Sequence, residues 1–183
     1  MKNVLIISGH PELKDNSFVN KIIMEDLENL LPEAVFDYLD DLYPDYKINV
    51  EAEQKKLVDA DIIVLQFPIF WYSMPALLAK WMEDVCVHGF SHGSKGKALV
   101  GKTLVLSFTV GGPEIAYDES FSETAMTNRL IQMAEFTGMV YASAISTYSV
   151  SYADRTDPVR TADMTTAAHA HAKRLAEKIH SLA

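Results

Sequence analysis

The run Ile62-Ile63-Val64-Leu65 constrains the fold most, because an aliphatic stretch without polar alternation suits a strand covered on both faces. Parallel sheets are covered that way, by the helices of their crossovers. Strand-like runs recur at Val4 to Ile7, Ala34 to Leu39, Thr103 to Thr109 and Val140 to Thr147, with the central one spanning Ile62 to Gln66. Helical patterns separate them. Phe18, Ile22, Met24, Leu27, Leu30 and Leu31 recur near helical spacing, with Ser17 as N-cap and Pro32 as stop. Glu51 to Val58 is a short helix, Pro75 is the first residue of a helix through Trp81 to about Val87, and Ser122 to Phe136 stops at Gly138. Pro158 to Leu182 is a long, alanine-rich final helix. Repeated βα alternation predicts an α/β fold with a doubly wound, five-stranded parallel sheet, order 2-1-3-4-5. One domain over residues 1–183 is expected from that length and a 49% hydrophobic composition.

In that order the ligand crevice lies at the carboxyl ends of strands one and three. Three loops converge there: Gly9 to Asn16, Pro68 to Met74, and Val110 to Tyr117. The second carries Phe70, Trp71 and Tyr72 between Pro68 and Pro75, whose fixed φ and missing N–H stop the segment from extending the sheet or starting a helix early. Large rings in a stiffened loop suit a ligand or an interface. The first loop enters a helix whose leading N–H groups are unpaired and carry partial positive charge, a place for a phosphate to which His10, Asn16 and Ser17 could donate. The alternative there is Ser17 as a simple cap and His10 filling a turn. In the third loop, Gly111 and Gly112 let backbone amides approach a planar ligand, or else form an ordinary turn. Gly-x-Gly-x-x-Gly is absent, so no dinucleotide fingerprint stands in the first loop.

Gly96 to Thr103 matches the P-loop pattern letter for letter, yet a P-loop needs a strand before it and a helix after it, and here a strand follows. A P-loop phosphotransferase is the disfavoured alternative. A formal charge of −9 without a basic block argues against nucleic acid and anionic membranes as partners. The apolar stretch after Met1 is too short for a signal peptide, and the single Cys86 excludes an intrachain disulfide framework, so a cytoplasmic location is expected. Cys86 is expected as a packed small hydrophobe, and Asp40, Asp41 and Asp45 as a solvated acidic loop. His169 and His171 are two apart on one helix and cannot share a face, so no metal site is expected from them or from His180.

Gly9-His10-Pro11 with Asn16-Ser17-Phe18, Phe67 to Leu78 with Lys80-Trp81, Gly101-Lys102, and Thr109-Val110-Gly111-Gly112 with Tyr117 together resemble the flavodoxin-like NAD(P)H quinone reductases. That group includes DT-diaphorase, modulators of drug activity and ancillary oxidoreductases of potassium-efflux systems. The resemblance implies that His10, Ser17 and Phe18 contact the flavin phosphate and ribityl chain, with Asn16 in the same loop. Pro68, Ile69, Phe70 and Trp71 would line the isoalloxazine, and Thr109, Gly111, Gly112 and Tyr117 would bind its polar edge. It implies ping-pong chemistry, NAD(P)H passing hydride to the flavin and a quinone then taking two electrons. Tyr117 matches the family's proton-handling tyrosine, but no histidine stands in Asp118 to Glu123. A homodimer is implied, with His92 and Tyr72 as second-subunit or substrate contacts. FMN is favoured over FAD because no long C-terminal extension follows the last helix. A regulatory flavin-binding partner of a membrane potassium-efflux protein is the other alternative.

Overall fold

The computed structural model describes residues 2–117 and 123–183; the expected helix start at Ser122 and the stretch Asp118 to Ser122 lie outside the described residues. Strands β1 (Val4–Ser8), β2 (Val35–Tyr38), β3 (Ile62–Pro68), β4 (Thr103–Thr109) and β5 (Val140–Thr147) form one sheet in the order β2-β1-β3-β4-β5. Every neighbouring pair is parallel. Helices α1 (Leu13–Asn16), α2 (Val19–Leu30), α3 (Leu39–Leu42), α4 (Val50–Asp59), α5 (Ala76–Val85), α6 (Glu123–Thr137) and α7 (Pro158–Leu182) complete the chain.

The central aliphatic run divides between two cores. Ile62 and Val64, with Ile6 and Val105, pack towards α2 and α7, whereas Ile63 and Leu65, with Leu5, Ile7, Leu104 and Leu106, pack towards α4, α5 and α6. Alternate residues of a strand point to opposite faces, so a strand covered on both sides shows no apolar/polar alternation. Each such side chain contributes about 1.5–3 kcal/mol on burial. On α7, the buried Ala168, Ala172 and Ala176 bring the helix close to α2 and the sheet. His171 is fully buried between the Ser107 and Thr147 hydroxyls, 2.8 Å from each. Burial, and then the nearby Arg174, push its pKa down to about 3, so the ring is neutral. His169 faces the other way, 2.5 Å from Asp26 of α2, as the two-residue spacing requires.

Several boundaries differ from expectation. β3 continues through Phe67 and Pro68, with Pro68 opposite Thr109. The missing proline donor costs nothing there, because β1 ends at Ser8 opposite Gln66 and no strand beyond needs it. Pro75 is the N-cap, at ψ 152°, and the helix begins at Ala76. The acidic loop contains α3, and Asp40 accepts the Leu13 N–H at 2.6 Å; burial raises its carboxyl pKa, so it is no solvated loop residue. Cys86 is packed as expected, its thiol pushed up to about 11 by burial. The P-loop match leads straight into β4. Lys102 instead donates to the carbonyls of Val58, at 2.8 Å, and Ala60, closing the end of α4.

Candidate functional site

A cavity of about 430 Å³ opens at the carboxyl ends of β1, β3 and β4, within the range of roughly 300–1,000 Å³ typical of small-molecule sites. From the first loop it is lined by His10, Asn16, Ser17 and Phe18; from the second by Pro68, Ile69 and Phe70; from the third by Thr109 and Gly111. Gly9 makes this approach feasible, since a Cβ there would stand 2.8 Å from a Leu78 methyl of α5.

His10 is 6% exposed. Burial pushes its pKa down to about 4 against the opposing pull of Glu12. Its Nδ1 accepts the Glu12 backbone N–H at 3.1 Å, which puts the ring proton on Nε2 and makes that atom a donor. Ser17 departs from its expected capping role. Phe18 is the N-cap of α2 and Ser17 makes no cap bond; its Oγ is shut off from solvent with no partner. A buried, unpartnered hydroxyl at the N-terminus of a 12-residue helix, lining the same cavity as a neutral histidine donor, is a cradle whose chemistry suits an anion. Behind it, Asn20 Oδ1 accepts from Gln66 Nε2 at 2.8 Å and from Thr109 Oγ1 at 3.1 Å, tying the first, second and third walls together.

Phe70 meets His10 edge-on at 6.0 Å. Beyond it, Phe70 and Ser73 exchange backbone hydrogen bonds of 2.9 and 3.0 Å around Trp71 and Tyr72, at φ 49° and 63°. This is a two-residue turn of the kind that favours Asn-Gly, occupied instead by two bulky rings. Left-handed backbone at each costs about 1–2 kcal/mol. Trp71 is 94% exposed and, like Tyr72, does not line the cavity.

Gly112 and Tyr117 also stand outside the cavity lining. Neither Gly111 nor Gly112 has a positive φ; Gly112 is needed for closeness, because a Cβ would meet the Tyr117 hydroxyl at 2.7 Å. Tyr117 packs between Tyr72, at 6.5 Å, and Tyr148, at 5.8 Å. His92 is elsewhere, with its Nδ1 3.0 Å from Ser91 Oγ and its ring 5.2 Å from the exposed Phe136. Among the described residues no group of three His, Cys, Asp or Glu could hold a metal ion. No helix among them is long and apolar enough to cross a membrane.

Sequence reasoning missed a fourth wall. Val150, Ser151, Tyr152 and Arg155, after β5, line the cavity, as do Asn20 and Met164. Ser149 N–H bonds to Gly112 O at 2.9 Å and Val150 N–H to Val110 O at 3.2 Å, stitching this segment to the third loop. The available signal was its position at the carboxyl end of a parallel strand.

The family model for the flavodoxin-like fold matches residues 2–174. The chain is 36% identical over 163 residues to a Bacillus subtilis protein named uncharacterized NAD(P)H oxidoreductase YrkL, covering 87% of this chain and 92% of that one. It is 40% identical over 115 residues to the glutathione-regulated potassium-efflux system ancillary protein KefF of Enterobacter sp., spanning 63% of this chain and 64% of that one. The crystal structure of general stress protein 14 from Treponema denticola, in complex with FMN, superposes with a TM-score of 0.83 at 26% identity, over 97% of this chain and 99% of that one.

Proposed function

The chain belongs to the flavodoxin-like fold family, and from that premise we propose that it is a flavin-dependent NAD(P)H:quinone oxidoreductase with FMN in the cavity below Phe70. The observation that carries this reading is the buried, unpartnered Ser17 hydroxyl at the head of α2. A phosphate there would satisfy it together with the leading N–H groups of the helix and His10 Nε2. Relatives named for NAD(P)H oxidoreduction and a neighbour holding FMN support the same assignment.

When bound, the flavin supplies two-electron hydride transfer from NAD(P)H to an acceptor such as a quinone, in alternating half-reactions. The chain's residues bind and orient. Asn16, Ser17, Phe18 and His10 hold the phosphate and ribityl end; Pro68, Ile69 and Phe70 wall the ring, and Trp71 meets it from the exposed turn outside the cavity lining. Thr109 lies beside the ring's polar edge, and the backbone of Gly111 and Gly112 offers it fixed N–H dipoles, which stabilise negative charge without reorganising. Tyr117 handles the accompanying proton from beside Gly112. Tyr72 and His92 contact the acceptor or a second copy of this chain, which also covers Trp71 and Phe136. Similarity to KefF favours a second reading, a flavin-binding regulatory partner of a potassium-efflux protein. The test is direct: cofactor released from the purified protein by heat co-elutes with FMN. A colourless protein that takes up no flavin overturns the proposal.

A further inference from the structure

The segment after β5 builds one end of the cavity in a way the three-loop site does not require. Tyr152 Oη donates to Asn16 Oδ1 at 2.6 Å, joining residues 136 apart in the chain across the cavity end beside the head of α2. The Arg155 guanidinium lies 3.3 Å above the Tyr152 ring centroid. Arg155 is the only Lys or Arg among the described cavity-lining residues, and His10 is neutral. The segment is held firmly. Ser151 Oγ caps the 3-10 turn Tyr152–Thr156 at Ala153 N, 3.2 Å away. Arg160 ties Asp154 at 3.2 Å and the Ser149 carbonyl at 3.4 Å.

Resting on the flavin assignment above, we infer that Asn16, Tyr152 and Arg155 form a clasp that selects a flavin ending in a phosphate monoester over a dinucleotide flavin. Charge and room both favour the monoester. A phosphate monoester carries close to two negative charges at neutral pH, whereas each phosphate of a pyrophosphate diester carries one, so a single stacked guanidinium favours the monoester. Arg155 is pre-oriented by the tyrosine ring, which lowers the entropy it loses on pairing. The Tyr152–Asn16 bond bridges the first loop and the segment after β5 at the cavity rim, so a second nucleotide passing there meets it. Admitting that nucleotide breaks the bond and unstacks Arg155. Asn16 and Tyr152 thereby act on specificity and Arg155 on affinity for the terminal charge.

Flavin-free protein titrated with FMN, FAD and riboflavin, followed by quenching of flavin fluorescence, separates these effects without relying on turnover. The wild type is expected to bind FMN about tenfold or more tighter than either FAD or riboflavin. Arg155→Met weakens FMN about tenfold and leaves riboflavin unchanged. Tyr152→Ala brings FMN and FAD to within about threefold of each other. Both residues are exposed, and unchanged thermal unfolding of the flavin-free variants confirms that they fold. Equal wild-type affinity for FMN and FAD, or an Arg155→Met variant that loses riboflavin as strongly as FMN, overturns the clasp alone. Failure of all three flavins to bind overturns the flavin reading with it.

Discussion

Ser17→Ala should move stability and ligand affinity in opposite directions. In the free protein its Oγ is buried without a partner, a condition that costs about 1–3 kcal/mol for a neutral hydroxyl. Removing one oxygen leaves a void worth less than about 1 kcal/mol. The flavin-free variant should therefore be more stable by about 1 kcal/mol, a rise of roughly 2–4 °C in Tm for a domain of this size. The same deletion removes a hydrogen bond to a charged phosphate, worth about 1.5–3 kcal/mol, so FMN affinity should fall about 10- to 150-fold. Urea denaturation of flavin-free protein measures the first quantity and fluorescence titration the second. Riboflavin, which has no phosphate, should bind equally to both proteins. A variant that is destabilised by more than about 1 kcal/mol, or that binds FMN as the wild type does, would refute the cradle argument.

Relieving the turn at Trp71 should also stabilise the free chain. Trp71→Asn suits φ 49°, and a side chain 94% exposed gives up almost no packing, so a gain of about 1 kcal/mol is expected in urea, with weaker flavin binding. No gain in stability would mean the left-handed turn carries no strain. His171 contributes a pH dependence. Its pKa of about 3 lies below the unfolded value of 6.5, so the unfolded chain binds a proton the native state does not, and stability falls as pH drops from about 6.5 towards 3. His171→Gln should remove up to about 1.4 kcal/mol per pH unit from that slope, measured by urea midpoints across the range; an unaltered slope would contradict the buried neutral ring. Lys102→Met should cost about 1 kcal/mol through the lost bonds to Val58 and Ala60 while leaving flavin binding intact, whereas lost nucleotide hydrolysis would revive the P-loop reading.

The sheet was legible because aliphatic runs bounded by turn residues report two-sided burial directly, crossovers make the neighbours parallel, and five βα units suggest the common order 2-1-3-4-5. His10, Ser17, Phe70 and Thr109 were legible as a group because strand ends converge in that order. What escaped depends on contacts distant in sequence. Tyr152 reaches Asn16 only because the segment after β5 is stitched to the third loop beside the cavity, and Asn20 reads as an ordinary helix residue until Gln66 and Thr109 close on it. Glu53 is a further case. It is fully buried on α4, held by Tyr43 at 2.6 Å, Trp81 at 2.8 Å and Lys56 at 2.6 Å, and only the i,i+3 spacing of Glu53 and Lys56 announces any of the cluster. The extension of β3 through Pro68 escaped because a proline's effect depends on whether a neighbour needs its donor.

NADH or NADPH oxidation with menadione as acceptor, followed before flavin removal, after it, and after adding FMN back, tests the central claim most directly. Turnover should disappear with the flavin and return with FMN. Flavin binding without turnover would leave only the regulatory reading, and turnover indifferent to flavin would contradict the account outright.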